Sequence, residues 1–421
     1  MTDTKVREPL FHITKRDNIT TKKSILIRII AVFFSLLILC VVCAIIGGEG
    51  IDVVLGALFD GNFGSERKIW IMLQDTALLL GVSLALIPAF KMKFWNLGGN
   101  GQILIGCLMA VVCMKFFGGK IPDWSIWIIM TLLCVLSGAI WALIPAVFKA
   151  FFNTNESLFT LMLNYVAQFL VGYFVVTWST SGSNVLTPFD QGNLPVLGNQ
   201  YVLTVIVIAL STVVMSIYLS KSKQGYELSV VGESQNTAKY VGINVRKVII
   251  RTMAISGAMC GIVGLLLAGA IEHTMSESIA KNMGFTAIMA TWLGHCNPVM
   301  VILTSFLITF LNRGMVSVRM ELNLTSDAIG NVCIALAYFI IIASEFFITY
   351  KVKSPIFDKI AALIPKRKKP LQEESEQSEA VSEQYTQNTS ENVAELVVDT
   401  IDDQPDDSDA NSEDKQEGGE Q

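Results

Sequence analysis

KSKQGYELSVVGESQNTAKYVGINVRK, Lys221 to Lys247, is the one long polar, cation-rich stretch lying between two apolar spans. From Gly225 it passes through Tyr226, Leu228, Val230 and Val231 to Gly232, Glu233 and Ser234, then through Asn236 to Ala238. Mixed apolar and small residues in this order predict a short amphipathic helix that Gly242 ends, where a plain solvated loop would be polar throughout. Held between membrane spans, such a helix has the form of a docking surface for a cytoplasmic partner. Its candidate residues are Gly225, Glu227, Gly232, Glu233, Asn236, Ala238 and Gly242.

The rest of the chain belongs in a bilayer. Hydrophobic residues make up 52% and charged residues 16% of the 421, with a mean hydropathy of +0.53. The net charge of −5 is unevenly spread: residues 370–421 hold 17 Asp and Glu against Lys415 alone, which leaves +11 on the remainder. That acidic segment is too polar to bury a core and is expected to be disordered. Eight cysteines sit nearly all inside apolar runs, as small hydrophobes do, and suggest no disulfide framework. Cys40 and Cys43 have CxxC spacing but no His or second pair beside them.

A bilayer core takes about 20 apolar residues per helix. Eight plain spans meet that length, near 24–47, 71–90, 101–117, 126–148, 159–178, 201–219, 248–270 and 327–349. The first is too long for a signal peptide and runs on directly into apolar chain, so it reads as an uncleaved span. Residues 51–61 are too few to cross and are expected at the outer surface. A further apolar stretch, Gly284 to Leu311, is broken by His295, Cys296, Asn297 and Pro298 into either one kinked helix or two short ones. Lys and Arg concentrate at the N-terminus, at Lys91 and Lys93, at Lys149, in the insert and from Lys351 to Lys369, whereas 179–200 has none. The positive-inside rule then predicts both termini cytoplasmic and about ten crossings, with two short segments supplying the extra pair.

Chemistry-bearing motifs are absent. No GxxxxGK[ST] loop exists to cradle ATP phosphates, the three histidines have no metal-ligand spacing, and no Ser or Cys sits in a nucleophile elbow. Catalytic residues, metal ions and cofactors are therefore not expected. Asp75 and Glu345 are the few acids near span ends, too few to suggest ion coupling, and Asp75 is expected to reach the interface. Neutral hydrogen-bonding groups are richer. FWNLGGNGQILIGCLMA, Phe94 to Ala110, sets Asn96, Asn100 and Gln102 among glycines where a helix begins, and freed backbone groups at membrane depth are tolerated only inside protein or along a water-filled path. NESLFTLMLNYVAQ, Asn155 to Gln168, puts Leu161, Asn164, Tyr165 and Gln168 on one helix face. Such amides suit a neutral polyol; helix-to-helix hydrogen bonding is their competing use. Trp292 is a candidate stacking platform.

These blocks, with GYELSVVGESQNTAKYVGIN, AISGAMCGIVGLLLAG and GFTAIMATWLGHCNP downstream, resemble membrane permeases of ATP-binding-cassette importers for simple sugars and nucleosides, a branch that includes branched-chain amino-acid permeases. The resemblance runs from about Trp70 to Phe347, and the Asn-Glu and Met-Leu-Asn-Tyr block is similar to the nucleoside-uptake members. It implies an ATPase subunit, a second permease subunit and an extracytoplasmic substrate-binding lipoprotein as partners in the plasma membrane, and no nucleic acid. Asn100 stands where that family usually has Glu, and HCNP is bulkier before its Asn-Pro pair than the pattern leads one to expect. The expected architecture is an all-α integral membrane protein: cytoplasmic N-terminus 1–23, permease domain 24–349 with its coupling loop 221–247, basic segment 350–369 and acidic tail 370–421. Its expected function is to form the translocation path for a nucleoside or simple sugar, with another small polar solute or ion-coupled transport as alternatives.

Overall fold

The structure, a computed structural model, describes residues 12–15, 21–179, 182–324 and 326–353. The expected acidic tail and all of the basic segment beyond residue 353 lie outside them. The chain divides into two units, Met1–Lys15 with Lys351–Gln421, and Arg16–Tyr350. Two short strands, β1 (His12–Lys15) and β2 (Tyr350–Lys353), pair with one another. The rest of the described chain is almost wholly helical, as its apolar periodicity requires.

In order the helices are α1 (Thr21–Gly47), α2 (Ile51–Phe63), α3 (Glu66–Lys91), α4 (Gly99–Phe117), α5 (Asp123–Phe152), α6 (Glu156–Trp178) and α7 (Val202–Lys221). There follow α8 (Lys223–Glu233), α9 (Gln235–Tyr240), α10 (Val245–Leu266, prolonged by a wider π turn, Leu267–Glu272), α11 (Met283–Leu293), α12 (Pro298–Glu321) and α13 (Asp327–Thr349). Among the described residues nine are long and apolar enough to cross a membrane: α1, α3 to α7, α10 with its π turn, α12 and α13. α11 is equally apolar but has 11 residues, about 16 Å, roughly half the hydrocarbon thickness.

The broken stretch 284–311 is thus neither one kinked helix nor two short ones. His295 and Cys296 take left-handed backbone (φ 50° and 53°), Asn297 caps the Val299 N–H at 3.1 Å, and Pro298 opens a full-length α12. Hydropathy ended this span at Leu311 because Arg313 follows. The helix continues to Glu321 because Arg313 pairs with Asp75 on α3, so each charge answers the other. Asp75 therefore faces a neighbouring helix. Arg28 on α1 likewise holds Glu345 on α13 at 2.8 Å, and His295 lies 3.4 Å from the same carboxylate.

The centre of the bundle is α3, α4 and α10, whose Val82, Leu84, Leu86, Ile103, Cys107, Cys260 and Val263 share one buried cluster. Between membrane helices the apolar effect is weak and close packing of small residues replaces it. α5 meets α10 this way: a Cβ on Gly257 would stand 2.2 Å from the Gly138 carbonyl oxygen. α2 packs on α12 and buries Leu58, with Asn62 donating to the Phe310 carbonyl at 3.0 Å.

The polar insert forms two helices rather than one. Ser234, with extended backbone, ends α8 and caps α9 by accepting from the Thr237 N–H at 3.3 Å. A serine hydroxyl competes with the helix ladder for nearby N–H groups, which is why the run through Ala238 divides there.

Candidate functional site

The site starts from a gap in the helix ladder. α3 ends at Lys91, Lys93 turns left-handed (φ 57°), and residues 94–98 have no regular structure before α4 begins at Gly99. Backbone groups freed there must find partners without water. Leu97 donates its N–H to Thr160 Oγ1 at 3.1 Å, and its carbonyl accepts from Asn164 Nδ2 at 2.8 Å. Asn164 Oδ1 accepts from the Gly101 N–H at 2.8 Å. Asn96 Oδ1 accepts from the Gly98 N–H at 3.0 Å and from Gln102 Nε2 at 3.3 Å, while its Nδ2 donates to Ser256 on α10 at 3.2 Å. One face of α6 and one residue of α10 thereby substitute for the missing helical turn.

A second irregular segment, 273–282, returns to the same place from the end of α10. It is pinned along its length: Leu186 N–H to the Met275 carbonyl at 3.0 Å, and Phe189 N–H to the His273 carbonyl at 2.8 Å. Lys281 and Asn282 are both left-handed (φ 44° and 56°), and α11 starts immediately after them. Asn100 joins the two irregular segments. Its Oδ1 accepts from the Gly284 N–H at 2.7 Å and its Nδ2 donates to Asn282 Oδ1 at 3.2 Å. The approach is so close that a Cβ on Gly284 would lie 2.5 Å from the Asn100 nitrogen.

Between α4, α6 and this second segment lies a cavity of about 240 Å³. Asn100, Asn164, Tyr165 and Gln168 line it from α4 and α6, and Glu277, Lys281, Asn282 and Phe285 close it. A second cavity of about 430 Å³, at the other end of α11 near Lys93, is bounded by Phe90, Trp95, Trp292, His295 and Cys296. There Trp95 and Trp292 stack at 5.1 Å between ring centres. Burial pushes the Cys296 thiol up to about 11, the direction that disfavours the thiolate.

The six residues picked from sequence thus fall into three places. Asn100, Asn164 and Gln168 share the first cavity, although the amides of Asn100 and Asn164 are already engaged. Asn96 and Gln102 are fully enclosed beside the gap and line neither cavity. Trp292 belongs to the second cavity. Glu277, Lys281 and Asn282 were missed, because 273–282 reads in sequence as a connection outside the membrane. Its charges so near two apolar helices were the available signal.

The insert's candidates divide as well. Gly225, Gly232 and Ala238 are buried, and Leu228, Val231 and Ala238 pack into one cluster with Ala89, Met92 and Phe94 at the end of α3. Glu227 is tied to Arg251 on α10 at 3.1 Å. Glu233, Asn236 and Gly242 are exposed, together with Tyr226, Tyr240 and Val241, so an exposed surface remains after the insert has been seated.

A family model described as branched-chain amino acid transport system permease component matches residues 70–343. The chain belongs to this permease family. Guanosine ABC transporter permease protein NupP of Bacillus subtilis (strain 168) is 28% identical to it over 322 residues, 73% of this chain and 89% of NupP. Glucose ABC transporter permease protein TsgB13 of Haloferax volcanii is 26% identical over 314 residues, covering 70% and 82% of the two chains. Guanosine ABC transporter permease protein NupQ, also of B. subtilis (strain 168), is 27% identical over 217 residues, or 48% and 67%. No solved structure matches. The permease is thus a multi-pass membrane subunit that transports, and the amide-lined gap and the seated insert both fall inside the matched residues.

Proposed function

We propose that this permease forms one half of the path by which an importer takes up a nucleoside, with a partner ATPase docked on the exposed face of α8 and α9. The cavity at Asn100, Gln168 and Glu277 carries this proposal: a polar, amide-lined space between two helix interruptions, inside an otherwise apolar bundle. It is smaller than the usual 300–1,000 Å³ or so of a small-molecule pocket and is open beside the exposed Tyr165. A second permease subunit completing it from that side accounts for both features, and NupP and NupQ share the name guanosine permease in one organism. Solute would arrive from an extracytoplasmic binding lipoprotein. Nucleotide-driven movement of the insert would reopen the cavity toward the cytoplasm, and substrate must bind the two states unequally for the cycle to have a direction. A simple sugar is the second reading, favoured by the likeness to TsgB13 and by amides that suit any polyol.

Gln168 provides the direct test, since it lines the cavity and, among the described residues, holds no other group. Gln168→Ala is expected to cut uptake by the reconstituted importer about tenfold with assembly unchanged. Unaltered uptake would remove α6 from the path.

The proposed orientation places both termini and the insert in the cytoplasm of a plasma-membrane protein. Segment 273–282 and the short α11 together make the tenth crossing. Seven of the eight cysteines are buried, leaving a low labelling background. A cysteine at Val196, which is 68% exposed, should react with an impermeant thiol reagent from outside, and one at Ser378 should not. The opposite pattern would invert the topology.

A further inference from the structure

Glu277, an exposed residue on the rim of the first cavity, is the acidic side chain lining it that no described residue answers. Lys281, which also lines it, is paired with Glu272 at 3.0 Å. Among the described residues Glu277 has no ion-pair or hydrogen-bond partner. Its place is nonetheless built. The carboxylate leans into a notch on α6 left by Gly172, where a Cβ would stand 2.2 Å from Oε1. Segment 273–282 that carries it is held by Leu186, Phe189 and Asn100, and ends in two left-handed residues that aim it at α4 and α6. Backbone strain of that kind, about 1–3 kcal/mol per residue, persists only where surroundings enforce it.

The side-chain oxygens of Asn100 and Asn164 and the amide nitrogen of Asn164 are spent on backbone, and the amide nitrogen of Asn100 on Asn282. Tyr165, Gln168, Ser278 and Glu277 are then the polar lining side chains with no hydrogen bond among the described residues, and Glu277 is the one of them that carries a charge. An ionised carboxylate only accepts hydrogen bonds, and its two oxygens match two adjacent donors.

We propose that Glu277 is the specificity-determining group of the path: it grips a neutral solute through two adjacent N–H or O–H donors and rejects anionic ones. The inference rests on the transport reading above. Two parts of a nucleoside carry such a donor pair, the N–H edge of a guanine base and the 2′,3′-diol of the ribose, and uptake experiments can separate them.

The complete importer in proteoliposomes should be given labelled guanosine, purine riboside, which lacks the base donors, 2′,3′-dideoxyguanosine, which lacks the diol, and guanosine monophosphate. Glu277→Gln is expected to lower guanosine uptake about tenfold or more while complex assembly and basal ATP hydrolysis stay unchanged. Whichever analogue lacks the gripped donors should already be poor in the wild type and lose nothing further in the variant, which identifies the edge. Guanosine monophosphate should be refused by the wild type and gain relative to guanosine in Glu277→Gln. Gly172→Ala fills the notch while keeping the carboxylate, and should reproduce a lesser form of the same shift. Equal uptake of all four probes by wild type and Glu277→Gln would overturn the assignment and leave the path intact. A wild-type importer moving neither nucleosides nor sugars would bring down the transport reading and this inference with it.

Discussion

Gly232→Leu is expected to abolish uptake and substrate-stimulated ATP hydrolysis together. A Cβ at this position would meet the Lys91 carbonyl oxygen at 2.0 Å, with the Met92 Cα at 3.3 Å. Both obstacles are backbone at the end of α3 and neither can swing away, so α8 must lift off. Lifting it withdraws Leu228 and Val231 from Met92 and Phe94, at roughly 1.5–3 kcal/mol per large apolar side chain. The exposed surface on α9 would then be presented at the wrong height to any motor below. Membrane insertion, read from protease protection, should persist because the nine long helices are untouched. Substrate-stimulated hydrolysis at the wild-type rate in purified Gly232→Leu importer would show that the seating of α8 is irrelevant to coupling.

Asn164→Ala should have the second-largest effect, on stability rather than on transport alone. The substitution strips the Leu97 carbonyl and the Gly101 N–H of partners at 2.8 Å each, at the point where the chain has no helical ladder to fall back on. Each orphaned group costs about 1–3 kcal/mol, so up to roughly 2–6 kcal/mol is lost. The expected result is a large fall in the thermal midpoint of the detergent-purified permease and a low yield of assembled complex. Gln168→Ala, four residues along the same face, should leave both nearly unchanged. Similar midpoints for the two variants would mean that the gap is held by something other than Asn164.

This contrast marks how far the sequence carried. Hydropathy located eight spans within a few residues, and the spacing of Leu161, Asn164, Tyr165 and Gln168 placed all four on the cavity wall. Spacing gives a face but not an occupation: Asn164 and Gln168 differ only in that a carbonyl lies opposite one and empty space opposite the other. Asn96 and Gln102 looked like path residues because they stand among glycines where a helix begins, and they are enclosed within the gap. Glu277 and Lys281 escaped notice because their segment folds back between α4 and α6, a return no local pattern encodes. α12 was cut short at Arg313 because its partner Asp75 lies far away in sequence. The insert divided at Ser234 because a hydroxyl cap outweighed a continuous apolar stripe.

Among the described residues, five of the eight non-glycine residues with left-handed backbone line one of these two cavities: Lys281 and Asn282 the first, Lys93, His295 and Cys296 the second. A joint made of glycine bends through a continuum of angles, whereas a residue with a Cβ has only a few separate backbone basins to occupy. In the proposed transport cycle, movement at these corners would therefore be stepwise, each shift a dihedral flip across a barrier, and half-open forms would be sparsely populated. A conduit with such corners would resist leakage by the discreteness of its joints, independently of how tightly it holds its cargo.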